Sequence, residues 1–385
     1  MRIAFYAPLK SPTHATPSGD RRVAGLLMQA LGRAGHRVEL VSTFRSYDGE
    51  GDGARQAALR EQGQLLGRRL AEQWLRSPAA SRPELWFTYH LYYKAPDWLG
   101  PEASAALGIP YVVAEPSHAG KRAHGAWALG HEGSAEAIRK ADLLLCPITD
   151  DVEGVLELGA ARERVRTLAP FLDPAPFRAA ADERAVHRGR LAKAYGLDPD
   201  VPWVSVAAMM RSGDKLASLR QLASALARVG DLPWRLIVAG DGEARAQVEA
   251  AFATSIPGRA ALPGALVLNE VAALYAASDL CVWPAVNEAY GMALLEAQAA
   301  GVPVVACAVR GVPDVVMDGR TGLLAPAGDE AKLAALTREL LVDPLRRQRL
   351  GAAAKAFVAE ERSLDAAAGR LQAWLAPLRR VRAFG

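Results

Sequence analysis

Cysteine is scarce in this 385-residue chain: there are three, Cys146, Cys281 and Cys307, and no C-x-x-C pair. That usage argues against a disulfide framework or a cysteine metal site and fits buried thiols in a reducing compartment. Long apolar runs are missing too, since no window approaches the ~20 apolar residues that span a bilayer. The opening MRIAFYAPL enters a strand at once, without the charged start and apolar core of a signal peptide, so a cytoplasmic location is expected. Charge of one sign is in short supply: 46 Lys and Arg face 42 Asp and Glu, leaving +4 and a pI near 9.0. The excess sits on arginines scattered along helices, so no nucleic acid is called for. An anionic small molecule or an acidic membrane surface would serve equally well. His90 and His118 have no His or Cys neighbour at metal-ligand spacing, and no D-x-D lies in a suitable loop, because Asp198-Pro199-Asp200 reads as a turn. No metal and no cofactor are expected.

What is present is a globular α/β pattern. At 51% hydrophobic and 23% charged, the chain is long enough for two domains. Short apolar runs at Arg2–Ala7, Arg37–Thr43, Leu85–Tyr89, Pro110–Ala114 and Leu143–Ile148 alternate with helical windows at 20–35, 54–76 and 134–141. Such alternation predicts a parallel sheet covered on both faces. The segment Pro170–Arg190, with Pro170, Pro174, Pro176 and clustered charge, breaks the rhythm and reads as the domain boundary. A second series starts at Trp203–Ala208, continues through the strands Arg235–Ala239 and Asp279–Trp283, and has helices from Lys215, Glu243 and Glu270. The expected domains are 1–180 and 191–363, with a last helical window at Leu364–Arg380.

The stretch Trp283–Gly301 (WPAVNEAYGMALLEAQAAG) joins a buried strand to a helix that Gly301 and Pro303 stop. A helix starting near Gly291 leaves the N–H groups of Tyr290, Gly291 and Met292 at the positive end of the macrodipole, where glycine lets an anion come close. Glu296 lies roughly 7.5 Å further along the axis at about 1.5 Å per residue. A diphosphate at the helix end would put a ribose diol beside the Glu296 carboxylate, while Glu288, ahead of the anion site, reaches the next group outward. The plainer alternative makes Glu288 a loop charge and Glu296 a surface residue.

Two turns echo each other. Ser18-Gly19-Asp20-Arg21 follows the first strand of the first half, and Ser212-Gly213-Asp214-Lys215 follows the first strand of the second half. Each puts a glycine, a helix-capping acid and a cation at a strand-to-helix turn. If the halves face each other, both turns open into one cleft at the carboxyl ends of the strands.

The run N-E-A-Y-G-M-x-x-L-E-A-Q-A-x-G-x-P-V-V (Asn287–Val305), continued by Gly311–Asp329, resembles the E-x7-E signature of the family 4 retaining glycosyltransferases. The resemblance implies two facing Rossmann-like domains with parallel sheets (the GT-B type), an interdomain cleft, and a C-terminal helix (364–385) that returns to the acceptor-side N-terminal domain. It implies a nucleoside diphosphate sugar as co-substrate, a UDP-sugar first, with the hexose passed to a small molecule, glycan or lipid without a metal. Glu288 then contacts the transferred sugar and Glu296 the donor ribose. Arg211 and Lys215 neutralise the diphosphate, with Gly19, Tyr290, Gly291 and Met292 close by. The spacing of Arg211 to Lys215 is one residue shorter than usual, and Ser18-Gly19 stands where paired glycines are common. His118, in VVAEPSHAGKR, stands where the family often has a histidine near the sugar; His90, in FTYH, competes for that role. A lipid acceptor would bring the arginine-rich helix at 54–76 to the inner membrane face, although its default reading is a solvated face. Two alternatives remain at this point, a sugar-nucleotide epimerase on the same scaffold and a non-catalytic nucleotide-sugar-binding subunit. A plain NAD enzyme is disfavoured because no G-x-G-x-x-G follows the first strand.

Overall fold

Runs of apolar residues too short for helices become strands, and the amphipathic windows between them become the helices that cover both faces. The structure, a computed structural model, describes residues 1–16, 18–118 and 120–379. The chain divides into two units, Met1–Ala169 with Leu364–Gly385, and Pro170–Ser363.

In the first unit β1 (Arg2–Tyr6) leads to α1 (Gly19–Arg33), then to β2 (Arg37–Leu40), α2 (Gly53–Arg76) and β3 (Leu85–Leu91). After these come α3 (Gly100–Leu107), β4 (Tyr111–Pro116), α4 (Ala128–Lys140), β5 (Leu143–Cys146), α5 (Thr149–Glu157) and β6 (Val165–Thr167). The six strands are parallel in the order β2-β1-β3-β4-β5-β6. Phe5 stacks on Phe87 across the β1–β3 pair at 5.7 Å between ring centroids. The core holds a carboxyl group: buried Asp97 accepts hydrogen bonds from the Leu99 and Gly100 N–H groups, Thr88 Oγ1 and the Tyr111 hydroxyl. Burial nonetheless raises its pKa above the ordinary carboxylate value.

In the second unit α6 (Ala175–Asp182) and α7 (Arg184–Tyr195) precede β7 (Trp203–Ala207), α8 (Asp214–Ala227), β8 (Arg235–Ala239), α9 (Arg245–Ser255) and β9 (Ala260–Gly264). Next are α10 (Leu268–Ala277), β10 (Leu280–Trp283), α11 (Met292–Ala299), β11 (Val304–Ala308), α12 (Val312–Val315), β12 (Gly322–Pro326), α13 (Glu330–Val342) and α14 (Pro344–Glu361). The sheet runs β12-β11-β10-β7-β8-β9, again parallel. Its core includes Cys281 and Cys307, buried free thiols like Cys146.

Within Pro170–Arg190, where the sequence places the boundary, the chain changes units between Ala169 and Pro170, and α6 and α7 follow at once in the second unit. Pro174 caps α6 and Pro176 sits in its first turn, where a missing N–H costs nothing. The clustered charge also has a structural use. Arg184 and Arg188 of α7 donate to the carbonyls of Ala276, Ala277 and Ser278, which are the negative end of α10, and both pair with Asp279 at 2.7 and 3.0 Å. The last helix, α15 (Leu364–Leu375), belongs to the first unit and packs on α1, with an Arg33–Asp365 ion pair at 2.5 Å. A short 3-10 turn, Pro377–Arg379, follows it, and the expected continuation to 385 lies outside the described residues from 380 onward.

Candidate functional site

In the second sheet β7 lies between β10 and β8, and the chain leaves β7 towards β8 but β10 towards β11. The strand ends of β7 and β10 therefore form the switch point where an open α/β sheet leaves a crevice. The turn after β7 opens α8, and the loop 284–291 after β10 opens α11. Besides the Lys215–Glu288 pair described below, that loop is fastened to α8 by Val286 N–H donating to Ser218 Oγ (3.0 Å) and Asn287 Nδ2 donating to Asp214 Oδ2 (2.9 Å). Asp214 thus anchors the loop rather than capping α8, whose cap is Gly213 without a side-chain bond. Ala285 and Asn287 hold positive φ of 60° and 50°, a strained path for non-glycine residues that the fastening maintains.

The path brings Glu288 onto Lys215. The Lys215 ammonium donates to Glu288 Oε2, and the Trp283 indole N–H donates to the same oxygen at 3.1 Å. Lys215 Nζ also stands 5.4 Å from the centroid of the Trp283 ring. Arg211, by contrast, is exposed on the turn, where its charge helps hold Glu243 below the ordinary carboxylate pKa; the larger cause is the Ser212 N–H that Glu243 accepts at 2.9 Å.

Gly291 is the cap of α11, at φ 75°, with no side-chain cap. A Cβ there would meet Leu294 Cδ1 at 3.0 Å, so both conformation and space demand glycine. The helix begins one residue later than expected: Leu294 N–H already bonds the Gly291 carbonyl, so the groups facing outward are those of Met292 and Ala293, and Tyr290 lies before the cap. The Tyr290 and Met292 side chains pack partly on the second core. Glu296 is 4% exposed, which removes the reading of it as a surface residue. A carboxylate on a helix otherwise buried in apolar contacts is costly unless it is bonded. Gln298, one turn before Gly301, is fully buried and ties α11 to α12 through the Val315 carbonyl.

A glycine turn after β8 lies beside these groups. Gly240 and Gly242, after β8, have φ of 143° and 153°, and a Cβ would meet the Ala208 carbonyl at 1.8 Å or the Met210 carbonyl at 2.3 Å. The Gly240–Glu243 turn is hydrogen-bonded to the turn after β7 through Met210 N–H to Asp241 O (2.9 Å) and Ser212 N–H to the Glu243 carboxylate (2.9 Å). The signal available was G-D-G-E directly after a strand.

The first unit has its own switch point, between β1 and β3. Between the register pairs Tyr89–Ala114 and Leu91–Pro116, His90 and Glu115 both turn to positive φ, 57° and 56°. The His90 ring lies 3.0 Å from Asp20 of α1 and 3.5 Å from Glu115. Burial opposes its charged form, but Glu115 and Asp20 outweigh burial and raise His90 to about 9, so it is an imidazolium at neutral pH. Ser18, not Asp20, caps α1 through Arg21 N–H. Gly19 is the first residue of α1, and a Cβ there would meet nothing within 4 Å. His118 is brought beside His131 instead, ring centroids 4.9 Å apart, and burial followed by that neighbour lowers its pKa.

Comparison with known proteins follows this division. A model of the glycosyl transferase 4-like domain matches residues 18–170, and one described as glycosyl transferases group 1 matches residues 204–343. The D-inositol 3-phosphate glycosyltransferase of Nocardia farcinica is 30% identical over 253 residues, 64% of this chain and 55% of that protein. Its Frankia alni counterpart is 32% identical over 304 residues, 73% of this chain and 72% of that protein. The chain spans about half the length of several such relatives, 51% for that of Rhodococcus erythropolis. Anabaena HepE, solved in complex with UDP, superposes with a TM-score of 0.74 over 98% of this chain and 100% of its own at 16% identity, which is a likeness of fold. The two matched blocks together with the extent of the Frankia match make this chain a member of the group 1, family 4-like glycosyltransferases, with the GT-B fold.

Proposed function

We propose that the chain moves a hexose from a nucleoside diphosphate sugar to an acceptor hydroxyl with retention at the anomeric carbon. The observation that carries this reading is the meeting of Lys215 and Glu288 at the second switch point, beside the uncapped start of α11. Lys215, Arg211 and the Met292 and Ala293 N–H groups supply positive charge for a diphosphate. Glu296, inside α11, takes the ribose hydroxyls, and Glu288 takes those of the hexose. In the reaction the bond from the anomeric carbon to the phosphate oxygen breaks and the acceptor oxygen bonds that carbon on the same face. The acceptor proton passes to the departing phosphate oxygen, so Glu288 positions the sugar and makes no covalent bond to it.

The first donor to try is UDP-glucose, the ligand in a second HepE complex, and the first acceptor is D-inositol 3-phosphate, named by the relatives. A thermal-shift panel of nucleotide sugars tests the donor half, because a ligand bound only by the native state raises the midpoint by mass action. At 100 times its dissociation constant a donor adds about 2.7 kcal/mol. A panel in which no nucleotide sugar moves the midpoint would sink the reading. Release of epimerised donor without any acceptor would replace it by an epimerase.

A further inference from the structure

We propose that Glu288 is the resting counter-ion of Lys215, fixed there by the Trp283 indole, and that this pairing makes the site select a sugar-bearing nucleotide over the bare nucleoside diphosphate. The inference rests on the donor reading above and adds a role for Trp283 that no motif carries. Three groups close a triangle: the Lys215 ammonium and the Trp283 N–H donate to one oxygen, Glu288 Oε2, while the ammonium stands over the indole face. Trp283 is 3% exposed and ends a buried strand, so its N–H is a fixed donor. The Glu288 side chain is 16% and that of Lys215 30% exposed, so their pairing is only partly screened by water.

The charges decide what such a site does. A bare diphosphate arriving at Lys215 must displace Glu288 or lie against its negative carboxylate; either way binding is weakened. A hexose on the diphosphate changes this, because its hydroxyls donate to Glu288 and turn an opposing charge into an acceptor. Transfer removes the hexose, Glu288 faces the diphosphate again, and the product is pushed out. Trp283 acts through Glu288 by holding Oε2 on the side of Lys215, which makes it a positioning residue. A simple loop staple would predict none of this, because its loss weakens every ligand alike.

Calorimetric titration of UDP and UDP-glucose separates the two. For Glu288→Gln, which keeps the shape and removes the charge, UDP should bind about five- to tenfold tighter and UDP-glucose about five- to tenfold weaker, as expected for loss of one partly exposed charge pair. Trp283→Phe keeps a ring under Lys215 and removes the N–H; it should weaken UDP-glucose about threefold while UDP stays level or tightens. Lys215→Ala, the reference, should weaken both. If Glu288→Gln leaves UDP unchanged or weakens it, the counter-ion role is wrong although the donor reading survives through the wild type. If Trp283→Phe weakens both ligands, Trp283 is only structural. If the wild-type protein binds neither ligand, the donor reading fails and this inference falls with it.

Discussion

At the scale of single residues, the two carboxylates of the signature occupy different physical settings, and their kinetics should differ accordingly. Glu296 is buried within α11, where under the proposed function it touches a part of the donor unchanged by the reaction. Its contribution is uniform binding, so Glu296→Gln should raise the donor KM with little change in kcat. Under the same reading Glu288 faces the sugar whose anomeric carbon gains positive charge as the phosphate leaves, so Glu288→Gln should lower kcat in addition to weakening donor binding, whereas Glu296→Gln should leave kcat nearly unchanged. Steady-state assays with matched donor and acceptor measure both constants, and a reversed pattern would mean that the donor lies the other way round in the site. Lys215 and Glu288 stand out in the sequence as candidates because a cation just inside a strand-to-helix turn and an acid just before another such turn carry their chemistry in their spacing. Trp283 does not. Its residue type suits a buried strand, and the role proposed for it depends on a loop path set by positive φ at Asn287, which asparagine tolerates, and at Ala285, which alanine does not announce.

Elements were legible where apolar periodicity was strong and were lost where it was weak. β7, β8 and β10 are buried runs and were expected nearly to the residue, whereas α7 has no fully buried residue and is held by Arg184 and Arg188 on the end of α10. Polar anchoring of that kind leaves no hydrophobic period to read, so the helix is not visible within the boundary segment. Helix α2 raises a question of surface rather than fold. Arg55, Arg60, Arg68, Arg69 and Arg76 are all exposed on it, together with Leu65 and Leu75 at 40% and 48%. Among the described residues Arg68 pairs with Glu102 at 3.4 Å and Arg76 with Glu72 at 3.8 Å, which offsets part of the charge. The remaining arginines, at about 1 kcal/mol each on an anionic surface, give roughly 3 kcal/mol, weaker than a millimolar affinity. Partial sedimentation with anionic vesicles at low salt, lost at physiological salt, is therefore expected. A protein that stays in the supernatant at low salt would remove the lipid surface from consideration and favour a soluble acceptor.

For the whole molecule, the division into two units, each with its own sheet and switch point, predicts that proton binding and nucleotide binding act on different halves of the chain. His90 is raised from an ordinary 6.5 to about 9 by Glu115 and Asp20, with Asp151 adding to the effect, all of them in the first unit. The folded state therefore holds a proton that the unfolded chain gives up between these values. The stabilisation is complete below about pH 6.5 and disappears as pH rises through about 9. Its size is about 1–3 kcal/mol, or roughly 3–8 °C in melting midpoint for a unit of this length. Comparing wild type with His90→Gln from pH 6 to pH 10 should show a gap in midpoint that is widest at the acid end and narrows through pH 9. A gap that stays constant would mean that His90 contributes by packing and not by charge. Nucleotide should act elsewhere. In hydrogen-exchange experiments at fixed pH, His90→Gln should speed exchange in β1, β3 and β4, while UDP-glucose should slow it around the turn after β7, the Gly240–Glu243 turn and the start of α11. Slowing confined to the first unit on addition of UDP-glucose would move the donor site away from Lys215 and Glu288 and overturn the assignment of the second unit.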